Sequence, residues 1–299
     1  MIYLKSMILS SLTLAIAVGS LGALSGCNDN QEKLKQSVAS APSAPTNSSE
    51  PTFEELNTTY VAKFSRPEKS QESSSLDILR PETAFALYNN LRSWDEGGKD
   101  IARLLETSVG EGEIPVFQMG REYSGIADEF KKRDLEEKIF TETKREAAKV
   151  DGNRLVKFVS EPGSLVSLKV GEYNFDDMTF KIDHCLFSDK LEYSKEEMRY
   201  AQGMKGADQE RCYFRTTNTE LKVGFVGGSK VRFKVEDPDI ARRIAAERSQ
   251  LKVQVFGYVD SVQRNKVGGN LQKERFVLIA PYRVALIDAN NVVLAETSI

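Results

Sequence analysis

The residues best equipped for chemistry in this chain are His184, Cys185 and Cys212, with a group of acids at Glu172, Asp176 and Asp177. A cysteine–histidine dyad needs a thiolate beside the imidazole, yet His184 and Cys185 are neighbours, and neighbours in a strand point to opposite faces. Serine triads normally take histidine as base, and no Gly-x-Ser-x-Gly elbow surrounds any serine. His184 therefore reads as an ordinary strand residue. Two cysteines and the chain's one histidine also fall short of the four ligands usual for structural zinc. No metal site and no cofactor follow.

Glu172, Asp176 and Asp177 could supply a carboxylate pair for glycan hydrolysis, or bind calcium. Hydrolysis needs two carboxyls at a set separation across a cleft. An EF-hand needs acids at alternating positions with glycine sixth, which this run lacks. Turn chemistry between Phe175 and Phe180 accounts for both aspartates. The stretch Gly224–Lys230 suggests a phosphate loop, but Ser229 precedes Lys230 and Val231 follows it, which is not the Walker order. Trp94, the single tryptophan, is followed by Asp95-Glu96-Gly97-Gly98 at a helix end. It reads as a core anchor, with a role in gripping a partner as the alternative. No residue is assigned a catalytic role.

The elements around these residues divide the chain. Residues 52–150 read as mainly helical. Thr52 and Glu55 have capping-box spacing, with Phe53, Leu56, Tyr60 and Phe64 on one helical face. Pro81 opens a second helix carrying Phe85, Tyr88 and Leu91. Ile101, Leu104 and Leu105 mark a third. Ser124–Val150 is charged and free of proline, and reads as one long helix or two in series, with Asp134 and Lys138 paired at i,i+4.

After Asp151-Gly152-Asn153 the period changes. Residues 155–159, 165–170 and 178–182 are strand-like. Leu221–Val226 and Lys230–Val235, joined through Gly227-Gly228-Ser229, predict a hairpin. Asp237-Pro238 starts a short helix, and strands follow over 251–262, 275–287 and 292–295. Asp288–Asn291 fits the turn between the last two, and Pro281 predicts an edge, a bulge or a break. The expected fold is α+β: a helical N-terminal half, and an antiparallel β-rich half over 151–299, sandwich or partly open barrel, with one short helix.

At the start of the chain Lys5 precedes an apolar segment, Met7–Val18, then small residues. A helix of about a dozen residues covers ~18 Å, well short of the ~30 Å hydrocarbon layer. Leu24-Ser25-Gly26-Cys27 closes the segment and resembles the lipobox of bacterial lipoproteins. The resemblance implies that residues 1–26 are a signal peptide and that Cys27 carries the lipid. It places the protein in the cell envelope, anchored to the membrane. Asn28 after the cysteine, with Asp29 one step later, favours the outer membrane facing the periplasm over the inner membrane. Residues 27–51, rich in Ser, Ala and Pro, form a tether of about 25–30 Å as a flexible coil. Residues 168–180 resemble a motif of uncharacterised bacterial envelope proteins, which brings no activity with it.

In an exported chain Cys185 and Cys212 read as a disulfide, worth roughly 3–4 kcal/mol on the chain-entropy estimate. Two free thiols, or a metal pair with His184, are the alternatives. The formal charge is −3, and Lys5 is the only charge in residues 1–26, so the mature chain carries −4. Neither nucleic-acid binding nor a polybasic membrane patch is implied. The sequence thus points to a non-catalytic binding or structural role towards an envelope protein or glycan. A cell-wall or glycan hydrolase using an Asp/Glu pair, and a carrier of an apolar ligand, are the alternatives.

Overall fold

Two long strands, β10 (Lys252–Lys266) and β11 (Lys273–Ile287), form the axis of the molecule. In the computed structural model, residues 59–67, 72–106, 114–150, 152–164, 166–187, 213–215, 220–266 and 273–299 are described. β10 and β11 pair antiparallel from Lys252↔Ile287 to Lys266↔Lys273. Each outer edge of this pair carries two short strands. Along β10 lie β1 (Thr59–Lys63) and β3 (Leu155–Ser160), and along β11 lie β8 (Leu221–Phe225) and β12 (Val293–Ser298). β2 (Leu76–Asp77) extends the sheet beyond β3, and β7 (Phe214–Arg215) beyond β8. Two small two-stranded sheets pair β4 (Lys169–Val170) with β6 (Ile182–Asp183), and β5 (Thr179–Phe180) with β9 (Phe233–Lys234).

Between β2 and β3 the chain forms four helices: α1 (Pro81–Leu91), α2 (Gly98–Glu106), α3 (Pro115–Gly125) and α4 (Glu129–Ala148). The fold is α+β, with a β-rich C-terminal half and a mixed, mostly antiparallel sheet. The helices form because apolar side chains recur every three or four residues, as at Ile101, Leu104 and Leu105 or at Leu135 and Ile139, all buried. Asp128 caps α4 by accepting from the backbone N–H of Phe130 (2.9 Å) and Lys131 (3.2 Å). Asp237 does the same for the fifth helix, α5 (Pro238–Glu247), as its Asp-Pro start predicts. Helices and sheet share one apolar core, in which Phe85, Tyr88 and Ile101 join Val255, Val277 and Val284. A smaller cluster, Leu155, Phe256 and Tyr282 with Tyr258, occupies the other side of the long strands.

Three expectations change, the charged stretch takes the first of its two readings, and one helix before it is new. Thr59–Lys63 is a strand, not part of a helix, because Thr59, Tyr60 and Val61 suit a pleated surface and pair with Asn265, Arg264 and Gln263 of β10; Phe53 and Leu56 lie outside the described residues. The charged stretch is a single helix, α4, preceded by α3, which the sequence pattern did not mark. The hairpin through Gly227 does not form. Gly227 adopts φ +70°, but Gly228–Lys230 is a short 3-10 turn that carries the chain away, so β9 pairs with β5. β8 instead runs parallel to β11, from Arg275↔Leu221 to Ile279↔Phe225. Of the strands expected over 165–170 and 178–182, only the two-residue pieces β4, β5 and the start of β6 form.

Pro281 sits in a central strand at a bulge. Gly257 pairs with Pro281 while Phe256 pairs with Arg283, leaving Tyr282 as the extra residue. A side chain at position 257 would not fit, since a Cβ there would lie 2.6 Å from Ile279 Cγ2 and 2.8 Å from the Ala280 carbonyl oxygen.

Candidate functional site

The two ends of the β10–β11 pair carry different chemistry. Towards the 266–273 end, Arg264 and Arg275 are cross-strand partners, an arrangement that repulsion between like charges disfavours. Both are buried, at 5% and 1% exposure, and so is Glu96 at 2%. Glu96 lies in the segment between α1 and α2. Its Oε2 accepts from Arg275 Nε (2.9 Å) and Nη2 (2.8 Å), while Oε1 accepts from Tyr88 Oη (2.5 Å) and Trp94 Nε1 (3.2 Å). Arg264 Nε stands 3.4 Å from Glu96 Oε1, and its Nη2 is 3.6 Å from Asp100 Oδ1. Arg275 also reaches Glu220 Oε2 at 3.4 Å. Glu96 thus bridges the two arginines, and each has a second carboxylate nearby, Asp100 for Arg264 and Glu220 for Arg275.

Burial alone would raise the Glu96 carboxyl. The Arg275 charge and hydrogen bonds, together with Arg264 and Tyr88, outweigh it and hold the group at about 2. Burial and the Glu96 charge push the Tyr88 hydroxyl upwards, so it stays a donor. A carboxylate fixed in its ionised form, with both oxygens engaged, is a fastener. It is poorly suited to deliver or collect a proton at neutral pH.

At the bulge end lies a depression of about 300 Å³ open to solvent, lined by Arg66, Val226, Gly227, Lys230, Tyr258, Ala280, Pro281, Tyr282 and Ile299. The irregular backbone makes room for it. The bulge re-aims Tyr282, the left-handed Gly227 turns the chain after β8, and Val226 N–H fixes that turn on the Ile279 carbonyl at 2.8 Å. Arg66 donates to a terminal oxygen of Ile299 (3.1 Å) and lies over the Tyr282 ring, 5.2 Å from its centroid. Lys230 is exposed. Among the described residues the lining holds no Asp or Glu side chain, and Arg66 is paired with the terminal oxygen of Ile299.

The residues singled out by sequence fall elsewhere. His184 is half-buried, and its Nδ1 accepts from the Leu186 N–H at 3.2 Å. Burial pushes its imidazole below the ordinary value against the pull of Asp183, with Lys169 adding to the fall. Cys185 begins the short 3-10 turn Cys185–Phe187. Cys27 and Cys212 lie outside the described residues, and with them the lipid attachment and the disulfide.

Asp176 and Asp177 are exposed in the turn between Asn174 and Thr179, where Thr179 Oγ1 donates to Asp177 Oδ1 at 2.7 Å. Glu172 is also exposed, with Arg248 at 4.0 Å. This is the turn chemistry read from the sequence, and the three acids line neither the depression nor the buried cluster. Trp94 packs against Tyr60 (5.6 Å) and Tyr88 (6.0 Å) as an anchor of the Glu96 cluster.

Among the described residues, no three His, Cys, Asp or Glu side chains are grouped to hold a metal ion. No described helix is long and apolar enough to cross a membrane. Set against known protein families, curated proteins and solved structures, the chain has no significant match.

Proposed function

We propose that the protein is a lipid-anchored component of the bacterial cell envelope. In this reading its folded part binds an envelope protein or glycan without catalysing a reaction on it. The observation that carries the reading is Leu24-Ser25-Gly26-Cys27 at the end of a short apolar segment. The thiol of Cys27 takes the diacylglyceryl group. Two or more acyl chains then hold the protein where one would release it, because each buried methylene contributes only about 0.8 kcal/mol. Asn28 directly after the cysteine favours outer-membrane placement, facing the periplasm, over the inner membrane.

The non-catalytic part is supported by the state of Glu96, a buried carboxylate among the described residues. Glu96 is held ionised by two arginines, whereas a glycan hydrolase needs one carboxyl kept protonated beside a second. The charged and tyrosine-lined depression suits a polar ligand better than an apolar one.

Mass spectrometry of the mature N-terminus tests the anchor. A diacylated or triacylated Cys27 as first residue is the expected result, and an unmodified residue or a retained leader overturns the reading. Crosslinking in intact cells tests the partner: recovery of an envelope component should fall when Cys27→Ser frees the chain from the membrane.

A further inference from the structure

His184 is the chain's only histidine, and its side chain makes a contact that depends on its charge. It follows β6 and leads into the 3-10 turn Cys185–Phe187. Two hydrogen bonds to His184 close that turn. Its carbonyl oxygen accepts from the Phe187 N–H (2.9 Å), and its Nδ1 accepts from the Leu186 N–H (3.2 Å). An imidazole nitrogen that accepts carries no proton, so the closed turn requires the neutral ring, with its proton on Nε2. A proton added at Nδ1 turns the acceptor into a donor, and two N–H groups then face one another.

The turn carries core side chains. Leu186 and Phe187 are both buried, and Phe187 stacks on Phe225 with ring centroids 5.2 Å apart. The second 3-10 turn, Gly228–Lys230, packs closely against it: a Cβ on Gly228 would lie 2.8 Å from Phe187 Cα. The charged groups around the imidazole come from each neighbouring element. Asp183 on β6 favours the imidazolium, and Lys169 on the paired strand β4 opposes it. Lys230 is the cation of the packed turn, while Lys222 of β8 is engaged by Glu274. Burial, the largest effect, acts with Lys169 to outweigh Asp183, so the ring stays neutral to lower pH than an ordinary histidine.

We propose that His184 is an acid-sensitive latch, whose protonation opens the Cys185–Phe187 turn and loosens the Gly228–Lys230 turn packed against it. The latch involves neither lipid nor partner, so it stands apart from the envelope reading. The opened turn holds the proton more tightly than the closed one. The latch is therefore complete above the ordinary imidazole value of 6.5 and is lost as the pH falls below it. Glu96, held at about 2, stays ionised through this range and adds nothing to the change.

The test uses the full chain without a polyhistidine tag, so that His184 gives the one imidazole signal. Nitrogen NMR of histidine-labelled protein should show the Nε2–H tautomer above neutral pH and a titration midpoint below 6.5. Hydrogen exchange read by mass spectrometry, corrected for the intrinsic rate at each pH, follows the turn itself. Protection of the Leu186 and Phe187 amides should fall about tenfold between about pH 7.5 and 5, as linkage through one proton allows. The fall should level off below the imidazole's own midpoint, a coincidence that needs no variant. The Lys230 and Val231 amides, which donate to the Gly227 and Gly228 carbonyls, should lose protection severalfold in the same range. In His184→Asn the side-chain oxygen can accept from Leu186 N–H but cannot be protonated, so protection should stay flat with pH.

Protection that does not change over this range, or that falls equally in His184→Asn, overturns the latch. An imidazole that titrates at or above 6.5, or that carries its proton on Nδ1 when neutral, does the same. Loss confined to Leu186 and Phe187, with Lys230 and Val231 unchanged, overturns the link to the second turn.

Discussion

The two ends of the β10–β11 pair put similar side chains to opposite uses. At one end Arg264 and Arg275 are buried against Glu96, with Tyr88 and Trp94 completing the carboxylate's hydrogen bonds. The ladder there is regular, with Arg264 directly opposite Arg275. Further along, before the ladder resumes from Phe256↔Arg283 to Lys252↔Ile287, Gly257, Pro281 and Tyr282 break it, and Arg66 and Lys230 line an open depression there. Desolvation explains the contrast. A buried guanidinium must have a carboxylate close by, so the closed end tolerates no change of charge. An exposed cation keeps its water until a ligand replaces it, so the open end can keep a charge in reserve without destabilising the fold.

The sharpest way to break the comparison is to remove the charge at the closed end. Glu96→Gln keeps the shape of the side chain but leaves two arginines facing one another without their shared counter-ion. The expected loss is about 3–5 kcal/mol, the usual penalty for uncovering a buried charge. Urea denaturation followed by tryptophan fluorescence measures it, since Trp94 is part of the cluster. A loss below about 1 kcal/mol would mean that Asp100 and Glu220, 3.6 and 3.4 Å from the arginines, take over the role of Glu96.

Acid should reach the same interaction by another route. Glu96 is held at about 2, below its ordinary value of 4.5. With the folded value depressed, its contribution is complete above about pH 4.5 and declines as the pH falls towards 2. Melting temperatures across that window should drop more steeply for the parent chain than for Glu96→Gln, which has no carboxyl to protonate there. Parallel slopes would show that other carboxylates set the acid limit.

At the open end the bulge itself is the next target. Gly257→Ala drives a methyl against Ile279 and the Ala280 carbonyl, and overpacking of this kind costs about 1–3 kcal/mol. Chemical denaturation measures the loss.

How much of this was legible in the sequence depends on the range of the interaction. α1, α2 and α5 could be read because a proline start, an aspartate cap and a helical apolar period are local signals. The turn at Asp288–Asn291 was legible for the same reason, as Asp288 Oδ1 accepts from the N–H groups of Asn290 and Val292, both at 2.8 Å. The failed hairpin shows the limit. Its glycines announce a turn, but partner choice was decided far away, by β11 on one side and β5 on the other. β1 was misread because the ladder it joins lies some two hundred residues onward in the chain.

Neither end of the long pair could be found in advance. The local hints at the closed end were Arg275 at the head of an apolar strand run, Arg264 just past the end of another, and an acid two residues after the single tryptophan. A rule that a charge in a buried run must have a partner would have flagged Arg275, though it would not have identified Glu96. For the depression, a bulge was one of three readings that Pro281 allowed, and Arg66 and Lys230 come together around it only in three dimensions.

The smallest effect tests the comparison most finely. If the open end holds its cations in reserve, the double variant Arg66→Gln, Lys230→Gln should change stability by no more than about 0.5 kcal/mol, as is usual for exposed positions away from packed contacts. Arg66 is the residue most able to violate this, because it lies over Tyr282 and bonds Ile299 O. The single variants therefore need to be measured separately. A loss confined to Arg66→Gln would make that arginine a strut between the residues after β1 and the end of β12, leaving Lys230 as the only uncommitted charge at the depression. Near-zero effects from both, beside a loss of several kcal/mol for Glu96→Gln, would show that the same kind of side chain is structural where it is dry and available where it is wet.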